Sequence, residues 1–281
     1  MAKIRRTIRR CLASVLGLPG HMDLWWTPQL PVVYVNNPKC GCSTVKNTLK
    51  QAQASRFRKD GLEVFRQLTD PHSSDDCLKR RGLRLCAGDR RLVISCARNP
   101  YTRALSAYLD KGCDAQAAYF PELLGRPPQD FESFLELLAR TRPTTLDPHF
   151  CPQRINLWPS HVAYDAIFYL ENAGALRRTL RHALGDFELE TFAPHSRKAQ
   201  QKLQTLYTPR AIELVQQIYA ADFEWLGYSR DVTRAMEAPG AYWTPHAIVP
   251  VEEEGRLKPA SGLASLKSVI RYQSLIEARL I

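Results

Sequence analysis

The chain has 281 residues, 44% hydrophobic and 24% charged, with no low-complexity tract, so it can form one large domain with a full hydrophobic core. Lysine and arginine number 39 against 28 aspartate and glutamate residues, which gives a formal net charge of +11 and predicts anionic ligands. Nucleic acid is not the expected partner, because no nucleic-acid-binding motif is visible and the basic residues are scattered.

Residues 1–30 form a basic N-terminal segment whose arginines include Arg5, Arg6, Arg9 and Arg10. An amphipathic helix that contacts a membrane surface and a frayed basic tail are both compatible with this pattern. The segment is too short to span a bilayer, and it lacks the long apolar core of a signal peptide. We therefore expect a cytoplasmic or membrane-peripheral protein without a transmembrane anchor.

The first informative segment is VVYVNNPKCGCSTVKNTL at residues 32–49. Its apolar, β-branched start predicts a buried strand over 32–36, and a helix is predicted over 43–54. Between them Lys39 precedes a run of small or hydroxyl-bearing residues, Cys40, Gly41, Cys42, Ser43 and Thr44. We call the turn that begins at Asn36, together with the residues up to Thr44, the cradle, because backbone N–H groups, the helix dipole and the lysine would all face an anion bound there.

The position of Lys39 argues against an ordinary ATP-binding loop. In the GxxxxGK[ST] loop of kinases and ATPases, the lysine stands directly before serine or threonine. Here Lys39 comes before the small residues, and Ser43 follows four positions later. A kinase-like, nucleotide-dependent phosphoryl-transfer enzyme is therefore kept only as an alternative.

A second phosphate-binding pattern follows in LVISCARNPYTRALSAYLDK, which ends at Lys111. A strand is predicted over 92–97 and a helix over 101–110. At the end of the strand, the Arg98 guanidinium can make a bidentate, charge-assisted contact with a phosphate, and Ser106 can add a hydroxyl two helical turns later. The alternative is that Arg98 and Arg103 are ordinary charges at a helix start and on a surface.

The rest of the chain also shows strand and helix patterns in alternation. A further strand is predicted over 165–170, and helices are predicted over 131–140, 172–184 and 209–221. Strands that alternate with helices predict an α/β fold with a central parallel sheet and helices on both faces. The glycine- and proline-containing stretch 112–130 is expected to be a surface insertion.

These patterns resemble sulfotransferases that use 3′-phosphoadenosine-5′-phosphosulfate (PAPS). PKxGxST resembles their 5′-phosphosulfate loop, and the R[DN]PxxRxxSxY pattern that begins at Arg98 resembles their 3′-phosphate motif. The segments DPHFCPQ (147–153), YDAIFYLENAGAL (164–176) and LYTPRAIELVQQIYAADFEWLGY (206–228) are similar to carbohydrate sulfotransferases of the family 2 type, which modify chondroitin, dermatan and related glycans. The resemblance implies a P-loop-like sulfotransferase domain over 31–228, followed by a C-terminal extension of unknown role at 229–281.

The resemblance also implies the reaction. A sulfuryl group would pass in line from PAPS to a hydroxyl of a carbohydrate or glycan, without a metal, and adenosine 3′,5′-bisphosphate would leave. The positive net charge is compatible with an anionic acceptor. Animal relatives carry a Golgi membrane anchor, so a chain without one resembles a bacterial member. A catalytically silent member that only binds nucleotide or glycan is a second alternative.

The donor-binding roles follow from the same resemblance. The cradle corresponds to the 5′-phosphosulfate loop, while Arg98 and Ser106 correspond to the pair that holds the 3′-phosphate. The sequence HSRK, with Arg197 and Lys198, resembles a segment that packs over the nucleotide. Either of these two cations could close on the phosphosulfate, or both could be solvated charges before a helix.

The transfer needs a cation at the leaving oxygen and a general base. Lys39 is expected to neutralise the charge that grows on the bridging oxygen. A base should take the proton of the acceptor hydroxyl, and in the family a His or Glu after the first helix does so. The candidates are His72, Glu63 and His149, of which we rank His72 first because it lies between the two motifs.

Overall fold

The structure of the chain is a computed structural model that describes residues 23–26, 30–57, 91–112, 128–160, 162, 164–185 and 202–252. Within those residues, one sheet carries helices on both of its faces, and the α/β class expected from the sequence is confirmed. Most of the expected insertion at 112–130 lies outside the described residues. No helix in the described part of the chain is both long and apolar enough to cross a lipid bilayer.

The sheet is mixed and its strands are arranged in chain order. They are β1 (Leu24–Trp26), β2 (Val32–Val35), β3 (Leu92–Ala97), β4 (Ala166–Tyr169), β5 (Tyr242–Trp243) and β6 (Ile248–Val249). β2, β3 and β4 are parallel, whereas β1, β5 and β6 run antiparallel to their neighbours. Every residue of the three parallel strands is buried, which explains their largely apolar sequences.

The three parallel strands agree with the sequence predictions to within one residue at each end. The antiparallel strands were not predicted, because two or three residues are too few to show an alternating pattern. β1 belongs to the segment assigned to the basic N-terminus, and β5 and β6 belong to the segment assigned to the C-terminal extension. Both flanking segments therefore contribute to the sheet of the domain.

Seven α-helices lie wholly within the described residues, and residues 202–206 are also helical. The seven are α1 (Cys42–Phe57), α2 (Pro100–Ala107), α3 (Phe131–Arg140), α4 (Gln153–Leu157), α5 (Ala173–Leu184), α6 (Pro209–Ile218) and α7 (Ala220–Leu226). The helix predicted over 43–54 continues to Phe57, and two other predicted helices differ in kind from the structure. The predicted helix over 101–110 ends early and continues as a π-helical turn, Tyr108–Gly112. The predicted helix over 209–221 is two helices, because Tyr219 leaves helical geometry at φ −109° and ψ 22°.

Each face of the sheet has its own hydrophobic core, because alternate strand residues point to opposite sides. On one face, Val33 and Ile167 pack with α2, α3, α6 and α7. On the other face, Tyr34 and Phe168 pack with α1 and α5. The two cores fix the parallel strands, so the loops that follow β2, β3 and β4 meet at one edge of the sheet.

Candidate active site

The cradle between β2 and α1 contains two residues in the left-handed backbone region, Lys39 at φ 69° and Gly41 at φ 77°. α1 begins at Cys42, and the Val45 N–H donates to the Gly41 carbonyl at 3.2 Å. The N–H groups of the first helical turn have no partner within the helix. Such turns with successive N–H groups form concave sites for anions.

Two arginines from the second motif hold the backbone of the cradle. Arg103 Nε donates to the Pro38 carbonyl at 3.1 Å, and an Arg98 terminal nitrogen donates to the Lys39 carbonyl at 3.3 Å. The left-handed conformation of a lysine costs on the order of 1–3 kcal/mol and persists only where its surroundings impose it. These two contacts therefore supply part of the support that keeps Lys39 in its unusual conformation.

Arg103 is a buried structural residue rather than a surface charge, so the alternative given above for it is wrong. Its side chain is only 1% exposed. Its two terminal nitrogens donate to the carbonyls of Cys151 and Pro148, each at 2.9 Å. The guanidinium thus joins the cradle to the turn that precedes α4.

Arg98 stands directly after β3 and is partly buried. Its Nε donates to Thr102 Oγ1 at 3.0 Å. Removal from water lowers the pKa of Arg98, and the carboxylate of Glu171 opposes that change. Ser106 lies on α2 and is partly buried, and among the described residues no hydrogen bond joins it to Arg98.

Glu171, which follows β4, binds the start of the second motif. One of its carboxylate oxygens accepts from the Asn99 N–H at 2.8 Å, and the other accepts from the Tyr228 hydroxyl at 2.9 Å. Burial raises the pKa of Glu171, although these hydrogen bonds and the charge of Arg98 oppose the rise. Lys39, Arg98 and Glu171 therefore follow β2, β3 and β4, and the three residues belong to one polar cluster.

Lys39 is paired with a carboxylate that the sequence did not single out. Its Nζ lies 2.9 Å from Asp110 Oδ2, in the π-helical turn that follows α2. The lysine side chain is 17% exposed and the aspartate 45% exposed, so the pair is open to water mainly on the carboxylate side. Partial burial alone would raise the pKa of Asp110, but Lys39, with smaller effects of Lys111 and His149, brings it below its ordinary value.

His149 forms a close pair with Asp147. Its Nδ1 lies 2.6 Å from Asp147 Oδ1, which also accepts from the His149 backbone N–H at 3.0 Å. An ionised carboxylate can only accept hydrogen bonds, so Nδ1 carries the proton in a neutral ring and Nε2 holds the lone pair.

Cys40 contributes its backbone rather than its side chain to the cradle. The thiol is buried and donates to Gln153 Oε1 at 3.2 Å. Burial raises the pKa of Cys40 to about 12, although the charges of Arg103 and Arg98 oppose the rise. Gly41 and the first residues of α1, Cys42, Ser43 and Thr44, complete the loop as the sequence predicts. The other predicted site residues, His72, Glu63, Arg197 and Lys198, lie outside the described residues.

The geometry can be compared with known proteins. A family model described as the sulfotransferase family matches residues 22–229, a range that contains both motifs and the Lys39–Asp110 pair. The chain therefore belongs to sulfotransferase family 2, and this membership supports a sulfotransferase activity with a sulfuryl donor. No curated protein and no solved structure matches the chain.

Proposed function

We propose that the protein transfers the sulfuryl group of PAPS to a hydroxyl group of a carbohydrate or glycan. The observation that supports this most directly is the bonding between the two phosphate-binding segments. Arg98 and Arg103, from the segment after β3, donate to Lys39 and Pro38 in the segment after β2. A donor with phosphate groups at both its 3′ and 5′ positions fits two adjoining sites of this kind.

In this proposal the cradle holds the 5′-phosphosulfate through its backbone N–H groups and the start of α1. Arg98 and Ser106 hold the 3′-phosphate, since the arginine stands at the strand end and the serine lies on the helix that follows. Arg197 and Lys198 are proposed to close over the nucleotide. The cations Lys39 and Arg98 make this edge of the sheet suitable for a polyanionic ligand.

Transfer begins when the acceptor oxygen attacks sulfur in line with the leaving group. The new S–O bond forms as the bond from sulfur to the 5′-phosphate breaks, and its electron pair remains on the bridging oxygen. Lys39, which contacts Asp110 in this structure, neutralises that charge by donating to the bridging oxygen. Adenosine 3′,5′-bisphosphate leaves, and the acceptor retains the sulfate.

We propose His149 as the general base that takes the hydroxyl proton. The pairing of its Nδ1 with Asp147 leaves the lone pair on Nε2, the atom that would accept the proton. Asp147 then stabilises the imidazolium that forms. His72 and Glu63 remain candidate bases, and variants of all three residues are compared below.

The experiment is a thermal-shift titration with three nucleotides. Adenosine 3′,5′-bisphosphate should raise Tm strongly, and AMP, which lacks the 3′-phosphate, should raise it much less. ATP with magnesium represents the alternative phosphoryl-transfer function and should give at most the shift of AMP. Equal shifts with the bisphosphate and AMP would overturn the assigned 3′-phosphate site, and a larger shift with ATP and magnesium would favour the alternative.

A further inference from the structure

The Gln153 side chain lies between the two phosphate-binding segments and is completely buried. Its Oε1 accepts three hydrogen bonds, from Asn37 Nδ2 at 3.0 Å, the Cys40 thiol at 3.2 Å and the Arg98 backbone N–H at 3.0 Å. Its Nε2 donates to the Arg98 carbonyl at 2.7 Å. One amide therefore binds the cradle and both backbone groups of Arg98.

The backbone of Gln153 is also held by hydrogen bonds. Its side chain therefore has little freedom to move together with only one of the two segments. Its N–H donates to Asp222 Oδ2 at 2.7 Å, and the next N–H, of Arg154, donates to Asp222 Oδ1 at 2.9 Å. Asn37, the partner in the cradle, also donates to the Cys96 carbonyl at 2.9 Å. The hydrogen-bonded link between the segments is thus held in place at Gln153 and at Asn37.

We infer that Gln153 is a positioning residue that sets the distance and orientation between the cradle and Arg98. The inference rests on the proposed function, because it assumes that one nucleotide binds both segments. A ligand with two phosphates gains most when its two sites are held at the matching separation, since the second contact then forms at high effective concentration. If the Gln153 amide is removed, each phosphate site remains, but the distance and orientation between the two sites are no longer fixed.

The test compares Gln153→Met and Gln153→Asn with the wild-type protein by calorimetric titration of three nucleotides. Methionine removes the amide. Asparagine retains the amide, but its side chain is one methylene shorter and does not reach both segments. Affinity for adenosine 3′,5′-bisphosphate should fall about tenfold or more, while affinities for 3′-AMP and 5′-AMP change less than about threefold. A general loss of structure would instead weaken all three ligands together.

Gln216→Met is the matched control. Gln216 is also hydrogen-bonded, to the Tyr101 hydroxyl at 2.8 Å and the Arg230 carbonyl at 3.0 Å, and neither of these bonds is to the cradle or to Arg98. This variant should keep the wild-type preference for the bisphosphate. If the Gln153 variants keep that preference too, the inference is overturned while the proposed function survives. If the wild-type protein shows no preference, both are overturned.

Hydrogen exchange of the wild-type protein provides a test that does not depend on any variant folding. 3′-AMP carries no 5′-phosphate, so it cannot fill the cradle directly. With Gln153 as a fixed link, 3′-AMP should slow amide exchange at residues 37–42 as well as around Arg98. Slower exchange around Arg98 with unchanged exchange at 37–42 would contradict the inference.

Discussion

The Lys39 ammonium lies 2.9 Å from Asp110 Oδ2, so the lysine proposed to act on the donor is already paired with a carboxylate. A donor phosphosulfate and Asp110 would therefore compete for the same cation. Because the aspartate is 45% exposed, the pair is weak enough to be exchanged. Asp110 thus sets the starting position of Lys39 rather than holding it permanently.

Asp110→Asn should strengthen the binding of adenosine 3′,5′-bisphosphate, because Lys39 no longer has to leave a carboxylate. The gain should be modest, about fivefold or less, as expected for an exposed ion pair. Calorimetric titration at low and high salt would measure it, with a smaller gain at high salt. Glu136→Gln, which removes the same charge from an exposed pair with Arg140, is the control and should leave affinity unchanged.

The Lys39–Asp110 pair should also give a defined pH dependence of stability. The pKa of Asp110 lies below its ordinary value of 3.8, mainly because Lys39 outweighs the effect of burial. A lowered folded-state pKa stabilises the protein above the unfolded value, and that stabilisation is lost as the pH falls through the folded value. The stability difference between wild type and Asp110→Asn should therefore be constant from about pH 8 to 5 and should disappear only in stronger acid. A difference that vanishes near neutral pH would show another cause.

Lys39→Ala should lower turnover much more than it weakens binding of the product nucleotide. In the proposed mechanism the lysine neutralises charge that develops on the leaving oxygen, and removal of one such partner costs on the order of 10²-fold or more in kcat. Steady-state kinetics and calorimetry would measure the two effects separately. Lys111→Ala, which removes a neighbouring cation near Asp110, should have a much smaller effect on kcat. Nearly normal turnover in Lys39→Ala would show that the lysine does not act in the chemical step.

His149→Ala should abolish transfer while leaving the nucleotide-induced thermal shift intact. Asp147→Asn should lower kcat by at least about tenfold, because the imidazole loses the carboxylate that orients it and stabilises its charged form. Sulfate-transfer assays at a series of pH values would compare these variants with His72→Ala and Glu63→Gln. His182→Ala, at an exposed position of α5, serves as the control. If His72→Ala or Glu63→Gln is inactive and His149→Ala is active, the base is reassigned.

Asp222→Asn should destabilise the protein although it is nearly isosteric. Each carboxylate oxygen of Asp222 accepts one backbone N–H, from Gln153 and Arg154. An asparagine offers only one oxygen, so one buried N–H would lose its acceptor at a cost of about 1–3 kcal/mol. Denaturant unfolding would measure the change against Asp231→Asn, which alters an exposed cap on Thr233. A loss no larger than that of Asp231→Asn would contradict the assigned anchoring role.

The sequence was sufficient to predict the elements that carry the motifs. Continuous apolar runs predict β2, β3 and β4, since both faces of these strands are covered. The order of residues around Lys39 predicts the turn and the helix that follows it. These strands, the turn and the helix depend on residues that are close together in the chain, so they can be predicted from one sequence.

The rest depends on contacts between distant segments. Arg103 looks like a surface charge from its position in a helix, and only the fold shows three carbonyls around it. Asp110 was included in a regular helix, whereas the π-helical turn directs it to Lys39. Gln153 lies 55 positions after Arg98, and neither residue type predicts the hydrogen bonds between them. The sequence offers the proline–glutamine pair at 152–153 as a signal, through its similarity to the family segment.

Direct transfer of sulfate tests the central claim. The protein, PAPS and a panel of sulfated and unsulfated glycans would be incubated, and the products would be read by mass spectrometry, with the Lys39→Ala variant run in parallel. We expect one added sulfate on at least one carbohydrate, formation of adenosine 3′,5′-bisphosphate in equal amount, and neither product with the variant. A wild-type protein that binds the bisphosphate but transfers sulfate to no glycan would contradict the proposed carbohydrate sulfotransferase.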